Sequence, residues 1–145
     1  MRRKMTLGCA LCSTLLLVLL AFAGRMLYVK FYDRSLADIA GKSAPAALTL
    51  TSGQYDRTIE DAQQIAAITD VLAACTYTPY PHLLRPSADE LTAVRLTVGF
   101  PNGSSIGVDA DGYVFVDGVL RAIDSGRGQE LYHRLFVLFY PDTAG

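Results

Sequence analysis

From Val94 to Ile123 the chain alternates apolar and polar residues, and the alternation is cut at Asn102-Gly103, Asp111-Gly112 and Asp117-Gly118. Successive strand side chains point to opposite faces, so the alternation specifies strands with one apolar side. The dipeptides are residue pairs that tight hairpin turns favour. A stretch of this kind has few solutions other than an antiparallel meander, and the rest of the chain must cover it.

The register follows from the turns. Val94, Leu96, Val98 and Phe100 alternate with Arg95, Thr97 and Gly99. A two-residue Asn102-Gly103 loop would turn Ile106 and Val108 to the wrong side, because a one-residue slip inverts a strand. A three-residue loop, with Pro101-Asn102 in a type I turn and Gly103 left-handed, pairs Val98 with Ile106 and Leu96 with Val108. At Asp111-Gly112, a two- or four-residue loop places Tyr113 and Phe115 on the side of Ile106 and Val108. Asp117-Gly118 as a two-residue hairpin pairs Phe115 with Leu120 and Tyr113 with Ala122. The expected core face therefore holds Val94, Leu96, Val98, Ile106, Val108, Tyr113, Phe115 and Leu120. Each large apolar side chain buried there contributes roughly 1.5–3 kcal/mol. The opposite face would carry Val114, Val116, Val119 and Ile123 beside Arg95, Thr97 and Arg121. That half is too apolar to be left bare, so a helix or the chain's own loops should cover it, or else a partner.

The flanks supply the remaining elements. Leu48 to Thr51 reads as a strand, Ser52-Gly53 as a turn, and Tyr55 to Ile59 as a returning strand. Asp61 is placed to cap a helix over Ala62–Cys75, with Gln64 three residues on and Ile65, Ile68, Leu72 and Cys75 at helical spacing. Thr76 to Pro86 contains three prolines and reads as a crossover loop. Its Tyr77, Tyr80, His82 and Leu83 are expected to pack on the second sheet face. After a turn at Asp124–Gly128, Glu130 to Tyr140 reads as a helix that Pro141 ends. The fold class is α+β, with four to six mostly antiparallel strands and two helices.

Before this domain, Arg2-Arg3-Lys4 lead an uncharged run from Met5 to Gly24, twenty residues long, which matches the ~20 residues of a membrane-spanning helix. Arg25 closes the run, and Tyr28, Phe31 and Tyr32 suit an interfacial belt. Ala21-Phe22-Ala23 also fits signal-peptide cleavage after Ala23. An uncleaved single-pass anchor over residues 1–30 is the favoured reading. Both readings export residues 31–47 as a tether and 48–141 as an extracytoplasmic domain. The short basic leader favours an inside amino terminus, although Arg25, Lys30 and Arg34 nearly balance it. Beyond residues 2–4 the chain has 10 basic and 14 acidic residues, a net −4, and no basic patch of the kind nucleic acid requires. Cys9 and Cys12 fall inside the apolar run, and Cys75 stands alone outside it, so the domain has no disulfide to form.

Thr58-Ile59-Glu60-Asp61, then Ile65, Ile68 and Leu72, then hairpins with Asp-Gly turns and a final short helix, resemble a group of small extracytoplasmic domains. Those domains stand behind a signal or lipoprotein anchor in Gram-positive bacteria. The resemblance spans Leu48 to Tyr140 and implies an exported domain; it implies no activity and transfers no functional residue. The chain departs from the pattern at the anchor: Leu7-Gly8-Cys9 precedes the apolar run, where a lipobox cysteine would follow it.

No pattern commits the chain to a chemistry, a cofactor or a metal. Gly103-Ser104-Ser105-Ile106-Gly107 matches G-x-S-x-G, but a nucleophile elbow needs a strand before the serine and a helix after it. Asp109-x-Asp111-Gly112 places glycine too early for a calcium loop, leaving Asp109, Asp111 and Asp124 as a weak grouping. Glu130-x-x-His133 offers two zinc ligands where three or four are needed. Ser125 to Gly128 before a helix is an anion-binding geometry that is more often only a turn. The leading functional reading is a binding module at the cell envelope, with Tyr77, Tyr80, His82, Val114, Val116 and Val119 as candidate contacts. One alternative is an envelope hydrolase using Ser105, His82 or His133 with Asp109. Another is a structural subunit whose anchor helix contacts membrane neighbours.

Overall fold

The computed structural model describes the backbone of residues 2–123 and 127–143, and the side chains of these except at residues 2–5, 29–31, 82 and 143. It divides into two compact units, Met1–Tyr32 and Asp33–Gly145. The first is a single helix, α1 (Arg2–Phe31). Within it, Thr6–Tyr28 is long and apolar enough to cross a bilayer, and none of that stretch is buried.

The second unit is α+β. A seven-stranded antiparallel sheet has the order β2-β1-β4-β5-β6-β7-β3. Its strands are β1 (Leu48–Ser52), β2 (Tyr55–Ile59), β3 (Tyr77–Pro79), β4 (Arg95–Gly99), β5 (Ser105–Asp109), β6 (Val114–Val116) and β7 (Val119–Ile123). The helices are α2 (Leu36–Ala40), α3 (Ala62–Ala73) and α4 (Gly128–Phe139). The sheet exceeds the expected four to six strands because β3, in the segment read as a crossover loop, joins it beside β7.

Two of the three meander turns form as expected. Phe100 to Gly103 makes the type I turn with a left-handed Gly103 (φ 87°), and Val98 pairs with Ile106 and Leu96 with Val108. At the last turn Asp117 (φ 52°) and Gly118 (φ 78°) are both left-handed, and Phe115 pairs with Leu120. The middle turn differs. Gly112 N–H donates to Asp109 O, and Asp109 N–H to Tyr113 O, so the loop is Ala110-Asp111-Gly112. Three residues is an odd number, which inverts everything downstream. Val114 pairs with Val108 and Val116 with Ile106, so both valines face the helices; Phe115 pairs with Gly107 on the other side. The expected facial assignment of Val114, Val116, Phe115 and Leu120 is thus reversed. Val94 lies outside β4 and is 57% exposed, which removes it from the core.

The core lies between the sheet and the helices. Leu48, Leu50, Leu96, Val98, Ile106, Val108, Val114 and Val116 meet Ile65, Ile68 and Leu72 of α3 and Leu131, Leu135 and Phe139 of α4. The Asp61 carboxylate caps α3 by accepting from the Gln64 N–H at 3.0 Å. On the other face, Arg95 crosses Gly107 and sets its guanidinium 3.5 Å from the centre of the Phe115 ring. A Cβ on Gly107 would lie 2.7 Å from Arg95 Cδ, so glycine makes that crossing possible.

The expected tether is built into the domain. Arg34 exchanges two 2.8 Å backbone hydrogen bonds with Tyr77, extending the sheet beyond β3. Ser35 and Asp38 form a capping box on α2, and Ile39 is 1% exposed. Asn102 Nδ2 donates to Ile39 O at 2.8 Å. The proline-rich segment is likewise more ordered than a loop: Tyr77–Pro79 pairs with β7 as an edge strand. Proline is tolerated at Pro79 because, among the described residues, the outer side of β3 is bridged only at Tyr77.

Candidate functional site

The sequence-derived contact residues do not form one surface. Tyr77 is fully buried and its hydroxyl donates to Leu72 O at 2.9 Å, tying β3 to α3. Val114 and Val116 are 1% and 2% exposed. These three are core residues, a correction that follows from the odd loop for the valines and from edge pairing for the tyrosine. Val119, at the β6–β7 turn, remains at the surface at 44%. His82 lies on a short 3-10 helix, His82–Leu84, and its side chain is outside the described residues. Leu83, expected on the sheet, is 99% exposed.

Tyr80 is half-buried and stands 6.4 Å, ring to ring, from Tyr113. The two line a cavity of about 250 Å³ with Asp111 and the buried Arg121. Burial chiefly raises the Tyr113 hydroxyl above its usual range, and the charges of Tyr80, Glu90, Asp109 and Asp111 push the same way. Burial lowers Arg121, and the neighbouring cation Arg34 adds to this, while Asp117 opposes it. Asp117 in turn holds Arg34 at 3.5 Å and accepts from the Ser105 N–H at 2.9 Å.

Among the described residues the hydrolase set is not assembled. Ser105 and Asp109 lie on one strand, four residues or roughly 13 Å apart at ~3.3 Å per residue, both on the face away from the helices. His133 is exposed on α4, across the sheet, with its ring edge against Tyr132. The Asp109 carboxylate accepts from the N–H groups of Asp111 and Tyr113 at 3.0 and 2.9 Å. That is the work of a turn aspartate, and it accounts for the Asp-x-Asp-Gly pattern. Glu130 bridges to Arg127 and Arg134, each at 3.6 Å. Among the described residues no three His, Cys, Asp or Glu side chains are grouped to hold a metal.

Two features emerge that periodicity did not single out. One is a cavity of about 440 Å³, a groove between α2, the segment after it and α3. Six alanines line it, with Leu36, Pro45, Ile65 and Thr69 among the rest. The second is an aromatic ridge. Tyr132, Phe136 and Tyr140 follow one another at four-residue spacing, with ring centres 6.0 and 5.0 Å apart, and Tyr140 reaches Tyr55 of β2 at 6.2 Å. Tyr55 and Val137 are each 49% exposed and Phe136 37%, while Tyr132 and Tyr140 are partly buried against the core. The broad apolar composition of α4 was legible. Which part would stay outside depended on where α3 sits, since α3 occupies the flank of Glu130, Leu131 and Arg134.

Compared with known proteins, the chain matches no family model, no curated protein and no solved structure.

Proposed function

We propose that this chain is a single-pass membrane protein whose domain, outside the cytoplasm, is a binding module of the cell envelope. The observation that carries the reading is the aromatic ridge of Tyr55, Tyr132, Phe136 and Tyr140 with Val137. Exposed aromatic clusters are uncommon on folded domains that bind nothing, and aromatic residues are enriched at contact surfaces. The apolar α1 supports the anchor, the basic leader supports an inside amino terminus, and the resemblance to exported Gram-positive domains supports the location. The binding surface is then the ridge rather than the Tyr77–Val114–Val116 set.

A carboxy-terminal topology reporter should read as extracytoplasmic. A photocrosslinking residue in place of Val137 should capture a discrete protein or wall component from the native membrane, and Phe136→Ser should abolish that capture. A cytoplasmic reporter, or crosslinking unchanged by Phe136→Ser, would overturn the proposal.

A further inference from the structure

We propose that the Leu83–Leu84 turn is a second membrane contact, dipping into the interface of the bilayer that α1 crosses. This rests on reading α1 as an uncleaved anchor.

Leu83 is 99% exposed and Leu84 71%, on a short 3-10 helix between Pro81 and Pro86. Two adjacent leucines so bare on a proline-stiffened turn lack a reason within the domain, whose core closes without them. Their place in the fold names the occupant. The candidate span ends at Tyr28. Six residues later Arg34 is hydrogen-bonded through both backbone groups to Tyr77 of the edge strand β3. Six residues beyond Tyr77 is Leu83. The anchor's chain and the leucine turn therefore join the sheet at the same edge strand. The aromatic ridge ends at Tyr55 on β2, the opposite edge, six strand spacings or about 29 Å away at ~4.8 Å each.

Of the leucine turn and the ridge, the leucine turn is the one that follows the edge strand which the chain from α1 joins at Arg34. Leucine tips with a cation next to them suit an interface: apolar ends enter the acyl boundary while Arg85 keeps its charge among headgroups. Arg85 is exposed, as are Asp89 and Glu90 further along. The acidic pair lies on the next turn, which would stay on the water side.

The chain contains no tryptophan, so one introduced residue reports alone. Leu83→Trp is made in the full chain in phospholipid nanodiscs, with nitroxide carried on lipids either near the headgroup or deep in the acyl chain. The expected result is a blue-shifted emission that the shallow nitroxide quenches more than the deep one. Val137→Trp on the ridge should be quenched by neither. Unquenched emission from Leu83→Trp overturns the proposal. So does a blue shift without quenching, which would mean a protein contact there instead of lipid. Leu16→Trp, inside α1, tests the underlying reading. Its quenching by the deep nitroxide keeps the anchor even if the turn proves dry, and its failure removes the anchor itself.

Discussion

Gly128 opens α4, and its α-carbon lies against the backbone of Gly112 in the β5–β6 turn. A Cβ built on Gly128 would collide with Gly112 O, C and Cα, and one on Gly112 would come within 2.8 Å of Gln129 N. Gly128→Ala separates two effects of opposite sign. Helix propensity alone predicts stabilisation of up to ~1 kcal/mol. Overpacking predicts a loss of about 1–3 kcal/mol, at the upper end here because every obstructing atom is backbone and none can rotate aside. The net expectation is a loss of about 2 kcal/mol, or roughly 8 °C at ~4 °C per kcal/mol for a domain of this size. The assay is thermal unfolding of the full chain in detergent, followed by the near-ultraviolet dichroism of its tyrosines. Gly118→Ala is the comparison. Gly118 is left-handed (φ 78°) with nothing within 4 Å of a Cβ, so only the conformational cost of about 1–2 kcal/mol applies. A Gly128→Ala midpoint equal to or above the parent's would refute the packing argument.

Other outcomes follow from the same structure. Val114→Thr keeps the side-chain shape but buries a hydroxyl, and should cost about 1–3 kcal/mol by denaturant midpoint; an unchanged midpoint would return Val114 to the surface. Gly107→Ala should push Arg95 off Phe115 and lose about 0.5–1 kcal/mol. That loss should disappear in an Arg95→Ala background, as a double-mutant cycle would show. The N–H and hydroxyl of Ser35, chiefly, hold the exposed Asp38 carboxyl below its ordinary 3.8, with Arg34 and Lys42 assisting. A depressed folded value means the contribution is present above the ordinary value and lost as pH falls through the folded one. Amide exchange in α2 should therefore accelerate in acid below that range, and Asp38→Asn should exchange fast without that pH step.

What could be read from the sequence, and what could not, divides at one loop. Asn102-Gly103 and Asp117-Gly118 were resolved because apolar residues on both sides left one register in which faces matched. At Asp111-Gly112 that test failed. Tyr113, Val114, Phe115 and Val116 are all apolar, so alternation could not choose between odd and even loops. Asp109 decided it by capping the Asp111 and Tyr113 N–H groups, a local bond that periodicity does not reveal. The candidate contacts Val114 and Val116 were misplaced for that single reason. Tyr77 was missed because three neighbouring prolines masked a short edge strand, and the phenolic ridge because exposure on α4 is set by α3.

The stitching of Arg34 to Tyr77 also bears on where this protein can be divided. A fragment starting at Leu48, the first obvious strand, would take Ile39 out of the core and remove the backbone bonds that close β3. Such a piece would have bare hydrogen-bonding rims at both ends of its sheet, an invitation to stack end to end into aggregates. Cutting at Asp33 instead keeps one rim sealed, and solubility should change sharply between those two starting points.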